Sequence, residues 1–81
     1  MALTVLYFAK ARSVIGCSRE VFELTSTVLE LLNNIVKVHP SLCPIVPSCA
    51  VAVNEVYIVD YSTCRLHDGD VVALIPPVSG G

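Results

Sequence analysis

The sequence predicts one small α+β domain, with a mixed sheet of about five strands and one main helix packed on one face. Three patterns lead to this prediction. Several short segments are rich in β-branched and aromatic residues, or alternate apolar and polar residues, as strands do. One longer segment repeats its apolar residues at the spacing of a helix. The last strand-like segment is apolar throughout, which is typical of a strand in the middle of a sheet.

The N-terminal part of the chain predicts a strand, a turn and a second strand. Residues 4–9 are β-branched, aromatic or aliphatic in nearly every position, so both faces of this strand are expected to be apolar. Residues 12–18 include a glycine and several polar side chains, which favours a turn or short loop. Residues 20–25 alternate apolar and polar side chains. We therefore expect a half-buried edge strand that forms a hairpin with the first.

The main helix is predicted to begin after Thr27. Thr27 and Glu30 have the spacing of a capping box, in which each side chain accepts a hydrogen bond from the other residue's backbone N–H. Pro40 disfavours continuation, so the helix is expected to end near His39. The apolar residues occupy about half of the helix circumference and form the face that should lie on the sheet: Val28, Leu29, Leu31, Leu32, Ile35, Val36 and Val38.

The C-terminal part predicts a connection and three further strands. Residues 40–48 hold three prolines and are expected to form a surface connection. Short strands are expected at residues 49–54 and 56–59, joined by a turn. A second turn, over residues 67–70, precedes the last strand at residues 71–75. The element order is thus β-β-α-β-β-β, and a last strand in the middle of the sheet would pair in parallel with the first.

Composition excludes several classes of function. The net charge is −2 and no basic run occurs, so the electrostatic footprint of a nucleic-acid-binding protein is missing. No apolar stretch approaches the ~18 residues of a membrane span, and no signal peptide is recognisable, so we expect a cytoplasmic, cytosolic protein. Apolar residues make up 54% of the chain. A body of this size cannot bury all of them, which favours an apolar partner-binding patch over ordinary apolar exposure.

No catalytic or metal site is predicted within the body of the domain. His39 and His67 are isolated in sequence, and no serine has a neighbouring base. The four cysteines include no Cys-x-x-Cys pair, which disfavours zinc. In a reducing compartment they are expected to be free thiols, packed as small apolar side chains. The chain is therefore expected to bind no metal and no cofactor of its own.

The C-terminal tail is the remaining candidate for chemistry. Residues 1–75 form the predicted domain and residues 76–81 an extended tail. The two prolines of the tail fix φ and favour an extended path, and its two terminal glycines have no β-carbon, so the tip fits a narrow slot. Six residues reach about 20 Å, enough to enter another protein's active site. The alternative is a frayed end. We predict that the carboxylate of Gly81 is the reactive group.

Three segments carry a family resemblance: residues 5–12, residues 52–54, which read Ala-Val-Asn, and residues 68–81, which end in Pro-Pro-Val-Ser-Gly-Gly. In these segments, and over essentially its whole length, the chain resembles the small, sulfur-carrying subunit of molybdopterin synthase. The resemblance implies the ubiquitin-like β-grasp topology. The chain departs from the family at Val71, where an acidic residue is usual after the Gly-Asp turn.

The resemblance implies that Gly81 is a carried substrate of molybdenum cofactor biosynthesis, and that the chain alone is not an enzyme. A ubiquitin-activating-type adenylyltransferase would consume ATP to form a glycyl adenylate, which would become a thiocarboxylate. Inside the large synthase subunit its sulfur would attack cyclic pyranopterin monophosphate, and two transfers would form the dithiolene of molybdopterin. The assembly would be a heterotetramer with two large subunits at its centre. The rest of the tail would thread through the partner's site: Pro76, Pro77, Val78, Ser79 and Gly80.

The sheet face opposite the helix is the predicted partner interface. Strand alternation separates Phe8 from the side chains that face the helix. We expect Ile75 beside Phe8, with Tyr57 nearby, because aromatic and aliphatic clusters dominate interface energetics. The alternative is that residues 40–48 close this face.

Other functions stay open at this point. A sulfur carrier for thiamine synthesis or tRNA thiolation has a similar Gly-Gly ending, although the Pro-Pro-Val-Ser spacing argues against it. A ubiquitin-like protein modifier and a plain interaction domain with a passive tail are the further alternatives.

Overall fold

The computed structural model describes residues 1–77 and contains, within them, five strands and two α-helices. Two short 3₁₀ turns lie between the second helix and the third strand. In chain order the elements are β1 Ala2–Tyr7, α1 Ala9–Ile15, β2 Arg19–Glu23, α2 Val28–Val38, the 3₁₀ turns Pro40–Leu42 and Val46–Ser48, β3 Ala50–Val53, β4 Val56–Tyr57 and β5 Val71–Ile75.

The five strands form one mixed sheet in the order β2-β1-β5-β3-β4. β5 lies at the centre, parallel to β1 and antiparallel to β3. Its residue Ala73 is paired with Leu6 on one side and with Ala52 on the other. The predicted central last strand, its parallel pairing with the first strand and the edge position of the second strand are all confirmed.

The first helix is absent from the sequence prediction. A turn was expected over residues 12–18, but α1 occupies residues 9–15, so that prediction is wrong. Gly16 does break the chain path: it ends α1 at φ 77°, and its N–H donates to the carbonyl of Arg12. A glycine in this left-handed conformation is the usual end of a helix. The observed order is accordingly β-α-β-α-β-β-β.

Several strand boundaries also differ from those expected. β1 ends at Tyr7, so Phe8 connects β1 to α1 instead of lying in the strand. β4 contains only two residues, Val56 and Tyr57, where four were expected. The turn before it is a two-residue hairpin loop formed by Asn54 and Glu55, because Val53 and Val56 pair across it.

The main helix α2 begins as predicted. The Thr27 side chain accepts a hydrogen bond from the N–H of Glu30 at 3.3 Å, and the Glu30 carboxylate accepts from the N–H of Thr27 at 3.2 Å. The N–H groups of Val28 and Leu29, which have no partner within the helix, donate to carbonyls of the 61–64 loop. The capping box is therefore confirmed, and the loop before β5 completes the satisfaction of the helix N-terminus.

The hydrophobic core lies between the sheet and α2. We call the sheet face packed against α2 the covered face and the opposite one the open face. Side chains of β1, β3 and β5 alternate between the two. The covered face is fully buried with the inner side of α2: Leu3, Val5, Tyr7, Val51, Val72 and Leu74 from the sheet, with Val28, Leu31 and Ile35 from the helix.

Candidate docking site

The open face of the sheet carries an apolar groove of about 640 Å³. It spans the four strands β1, β5, β3 and β4. Leu6 is paired with Ala73, and Ala73 with Ala52. Because paired residues of neighbouring strands project to the same face, these three side chains lie side by side and form the groove floor. The full lining is Leu6, Phe8, Ala52, Asn54, Glu55, Tyr57, Val71, Ala73 and Ile75.

The three predicted interface residues meet in this groove. Phe8 and Tyr57 are 43% and 67% exposed, and Ile75, which lines the same groove, is partly buried. Such exposure of large apolar side chains in one concavity is typical of a surface that binds another protein. That these three residues contact a partner stays a prediction.

Residues 40–48 do not close the open face. The 3₁₀ turn Pro40–Leu42 contacts α1 and α2, and its Leu42 is fully buried in the core. No residue of this segment lines the groove. The alternative that it covers the docking face is therefore wrong.

One end of the groove is formed by the Asn54-Glu55 turn, which sequence reasoning treated only as a turn. Both residues have positive φ, 50° for Asn54 and 71° for Glu55. Left-handed pairs of this kind form the type I′ turns of two-residue hairpins, whose preferred sequence is Asn-Gly. The presence of both residues in the groove lining was not predicted, although the hairpin turn that places them there was.

Asn54 fixes this turn to the start of β5. Its side-chain oxygen accepts from the N–H of Val71 at 2.9 Å, and its side-chain amide donates to Asp70 Oδ1 at 2.9 Å. Its own N–H donates to the Val71 carbonyl at 2.8 Å. The hydrogen bond from Asn54, followed by that from the His67 N–H, holds the pKa of Asp70 below its usual value.

The strand that crosses the groove leads directly into the tail. β5 ends at Ile75, Pro76 is buried and Pro77 is exposed. The remaining tail residues of the predicted site, Val78, Ser79, Gly80 and Gly81, lie outside the described residues. The C-terminal end of β5 thus lies in the groove and directly precedes the predicted tail in the sequence.

His39 is not isolated in the structure, as its sequence position had suggested. Its Nε2 lies 2.8 Å from Glu20 Oε1, and the hydroxyl of Tyr7 donates to the same oxygen at 2.8 Å. The rings of Tyr7 and His39 pack edge to face, with 6.2 Å between the ring centroids. Tyr7 belongs to the covered face, so this cluster joins β1, β2 and the end of α2.

The protonation of this cluster follows from its contacts. Burial raises the pKa of Tyr7 far above its usual value, and its hydrogen bond to Glu20 acts in the same direction. Burial would also raise the pKa of Glu20, but the hydrogen bonds from Tyr7 and His39 outweigh it, and the net shift is downward. The ionised carboxylate of Glu20 thus accepts hydrogen bonds from two side chains of other elements, and its role is to stabilise the fold.

The cysteines are only partly packed as expected. Cys49 is buried, and burial raises the pKa of its thiol, which lowers its reactivity. Cys17 and Cys64 are half-buried, but Cys43 is exposed, so the expectation of packed cysteines fails there. Among residues 1–77, no group of three or more His, Cys, Asp or Glu side chains is arranged to hold a metal ion.

The comparison with protein families agrees with this architecture and with the tail. The model of the ThiS family matches residues 5–81, which includes the second half of β1, all of β5 and the Gly-Gly ending. The chain belongs to the ThiS family. Of the helices within residues 1–77 of this ThiS-family chain, none has the length and apolar character needed to cross a membrane.

Individual relatives confirm the resemblance noted in the sequence. The molybdopterin synthase sulfur carrier subunit of Chlamydomonas reinhardtii is 42% identical, over 100% of both chains. Two solved structures also match over 100% of both chains. SAMP1 from Haloferax volcanii has a TM-score of 0.86 at 25% identity. A chain in the complex of subunits 1 and 2 of molybdopterin-converting factor from Helicobacter pylori has a TM-score of 0.74 at 30% identity. The ThiS-family chain has the ubiquitin-like β-grasp fold.

Proposed function

We propose that this protein is the sulfur carrier subunit of molybdopterin synthase and acts in molybdenum cofactor biosynthesis. One observation carries the proposal: the strand that crosses an open apolar groove is the strand that runs into the Pro-Pro-Val-Ser-Gly-Gly tail. A partner that covers the groove therefore has the tail, with its reach of about 20 Å, beside its own surface. The relative from Chlamydomonas, aligned over its full length, supports the same role.

In this proposal Gly81 is the group that is chemically changed. An adenylyltransferase of the ubiquitin-activating type joins the Gly81 carboxylate to the α-phosphate of ATP, and pyrophosphate leaves. Sulfur transfer to the acyl carbon then displaces AMP and leaves the thiocarboxylate. A glycine suits both steps, because the absence of a β-carbon leaves its carbonyl unhindered. The thiocarboxylate sulfur forms a bond to a carbon of cyclic pyranopterin monophosphate, and water then cleaves its bond to the acyl carbon, which returns Gly81 to the carboxylate. Two such donations form the dithiolene.

The proposal assigns the catalytic groups to the partner, the large synthase subunit. The protein in the Helicobacter pylori structure is a complex of subunits 1 and 2 of molybdopterin-converting factor, which supports a large-subunit partner here. We place this partner on the open-face groove, against Phe8, Tyr57 and Ile75, in a heterotetramer with two large subunits at its centre. Both the large subunit and the adenylyltransferase need the tail, so their complexes with one carrier exclude each other. We place the assembly in the cytosol.

Deletion of Gly81 tests the carried-substrate role. The shortened chain should fold normally, because every described strand and core residue precedes Gly81 in the sequence, and it should support no molybdopterin synthesis in a reconstituted system. Incubation of the full chain with the adenylyltransferase, ATP and a sulfur donor should add about 16 Da, the difference between sulfur and oxygen, as a covalent modification. Activity of the shortened chain would contradict the proposal.

Phe8→Ser tests the position of the partner. The variant should remain folded, because Phe8 lies outside the core, and should bind the large subunit about tenfold more weakly or worse, as loss of a central aromatic contact does. Val59→Ser is the matched control, since Val59 is 98% exposed and does not line the groove. Equal affinity of the two variants and the wild type in a titration would place the partner elsewhere.

A second candidate is a ubiquitin-like protein modifier that is joined to lysine side chains through Gly81. SAMP1 is small archaeal modifier protein 1, and its structural match over both full chains favours this candidate. The identity to SAMP1 is 25%, lower than the 42% identity to the sulfur-carrier relative. The two functions separate by mass spectrometry of the purified protein from cells. A modifier gives lysine conjugates with a Gly-Gly remnant, whereas a carrier gives the free chain or its thiocarboxylate.

A further inference from the structure

The apolar groove contains one charged side chain, which the proposed docking does not explain. Glu55 is the charged residue among the groove-lining side chains, and the other polar one, Asn54, is already bonded to β5. The two carboxylate–histidine contacts within residues 1–77 involve Glu20 and Asp70. Glu55 takes part in neither of them, and it is exposed to solvent. A carboxylate at the end of an apolar groove limits which surfaces can cover it, because an unpaired buried charge is strongly unfavourable.

The backbone at Glu55 is unfavourable for any residue other than glycine or asparagine. Its φ of 71° lies in the left-handed region, where a β-carbon is crowded by the backbone. Asparagine at position 54 is well suited to such a conformation, but at the second position of this turn glycine is preferred. A glutamate in a position that suits glycine gains nothing for the fold. Strained backbone of this kind is a reason to look for a use of the side chain.

The hydrogen bonds of Asn54 fix the backbone of the turn from which the Glu55 side chain extends. The turn is attached to Val71 and Asp70 through the three bonds described above. A charge carried by a fixed turn loses less freedom when a partner binds than a charge on a mobile loop, so it contributes more to orientation. The carboxylate of Asp70, bonded to the same turn, adds to the negative potential at this end of the groove.

We propose that Glu55 determines which surface docks on the groove, by pairing with a lysine or arginine side chain set beside apolar residues on the large subunit. This inference rests on the proposed docking of that subunit. Charge complementarity excludes two other occupants. A second copy of this chain docked groove to groove would bring no cation, since the groove lining contains none, and the chain's own tail ends in a carboxylate. The pairing with Glu55 thereby fixes the orientation of the partner at the end of the groove opposite the C-terminal end of β5.

Titration of the large subunit with Glu55 variants tests the pairing. Glu55→Gln keeps the size of the side chain and removes its charge, and should weaken binding about fivefold at an ionic strength of about 0.05 M. At about 0.5 M salt the difference should largely disappear, because screening removes the advantage of the wild type. Glu55→Lys should be weaker still. Glu23→Gln is the matched control, an exposed carboxylate of β2 outside the groove, and should bind as the wild type does.

Glu55→Gly separates the pairing from a structural role. This variant should raise the melting temperature by about 2–5 °C, because it removes the strain, and yet bind about as weakly as Glu55→Gln. Wild-type affinity of Glu55→Gln at low salt overturns the inference, whatever the stability of the glycine variant. If Phe8→Ser also binds normally, the docking site itself is wrong. If Phe8→Ser is weakened and Glu55→Gln is not, only the role of Glu55 is wrong.

Discussion

The two faces of the sheet are built by the same strands, and both carry large apolar side chains, yet they have different surroundings. On the covered face Leu3, Val5 and Leu74 are at most 1% exposed beneath α2. On the open face, Phe8 and Tyr57 are large apolar side chains left in contact with solvent. Alternation along a strand places neighbours in sequence on opposite faces, so one run of apolar residues supplies both. Apolar character alone therefore does not separate residues that hold the fold from residues available to a partner.

Substitutions on the two faces should therefore affect different properties of the protein, stability on one face and partner affinity on the other. A truncation on the covered face should lower the free energy of unfolding and leave the affinity of the folded fraction for a partner nearly unchanged. A truncation on the open face should do the reverse. Three matched pairs, of the same residue type on the two faces, test this division.

The pair Leu3→Ala and Leu6→Ala should show the largest difference. Both leucines lie in β1, but Leu3 is buried in the core and Leu6 lies on the groove floor. Leu3→Ala should cost about 2–4 kcal/mol of unfolding free energy, because it removes buried contacts and leaves a cavity. Leu6→Ala should cost about 1 kcal/mol, because part of its surface is already exposed. Urea denaturation measures both, and equal losses would show that the open face is as well packed as the other.

The pair Tyr7→Phe and Tyr57→Phe should show a smaller difference. Tyr7 donates a hydrogen bond to the charged Glu20, so loss of its hydroxyl should cost about 1–2 kcal/mol. Tyr57 is 67% exposed, and loss of its hydroxyl should change stability by less than about 0.5 kcal/mol. If the melting temperature of Tyr7→Phe equals that of the wild type, the hydrogen bond from Tyr7 to Glu20 contributes little to the stability of the fold.

The pair Glu20→Gln and Glu55→Gln should show the smallest difference, and it should depend on pH: the loss of stability in Glu20→Gln is present near neutral pH and disappears in acid. The folded state lowers the pKa of Glu20, so its ionised form contributes stability above the unfolded value of 4.5, and this contribution is lost as the pH falls below it. Glu20→Gln should flatten the decrease in melting temperature below about pH 4.5. Part of the decrease should remain in this variant, because hydrogen bonds also lower the pKa values of Asp60 and Asp70.

Glu55→Gln is the control for this pH dependence, because the carboxylate of Glu55 lies outside the salt bridges of the described chain. Its melting temperature should fall with acid as that of the wild type does. A profile for Glu20→Gln that superimposes on the wild type would remove Glu20 as a source of the acid sensitivity.

Features that depend on local sequence were predictable. Thr27 and Glu30 are three residues apart, and their capping box is closed within one helical turn, so the pattern alone predicts it. The central position of β5 followed from its uninterrupted apolar run. That Phe8 and Ile75 lie on the same face of the sheet, in one groove, followed from alternation along β1 and β5 and from their parallel pairing.

Features that depend on register between distant segments were not predictable. Glu20 meets Tyr7 and His39 across 13 and 19 residues of sequence, and only the completed sheet brings them together. Helix α1 was missed for a different reason. It has seven residues and no side-chain cap at Phe8, so it lacks both the length and the start signal by which helices are recognised. Its contact with the rest of the fold is made by Ala11, which is buried in the core, and by Ile15, which packs against it.

The position of β5 also determines when during synthesis the domain can form. β1 pairs with β2 and β3 pairs with β4, but these two pairs are joined only by β5, which the ribosome makes last among the five strands. Contacts between the first and last strands are slow to form, because a long loop must close before they are made. A chain that is stalled or cleaved before residue 71 cannot complete the sheet. Folding therefore acts as a check on synthesis, since every copy that reaches the native state already contains the strand from which the tail continues.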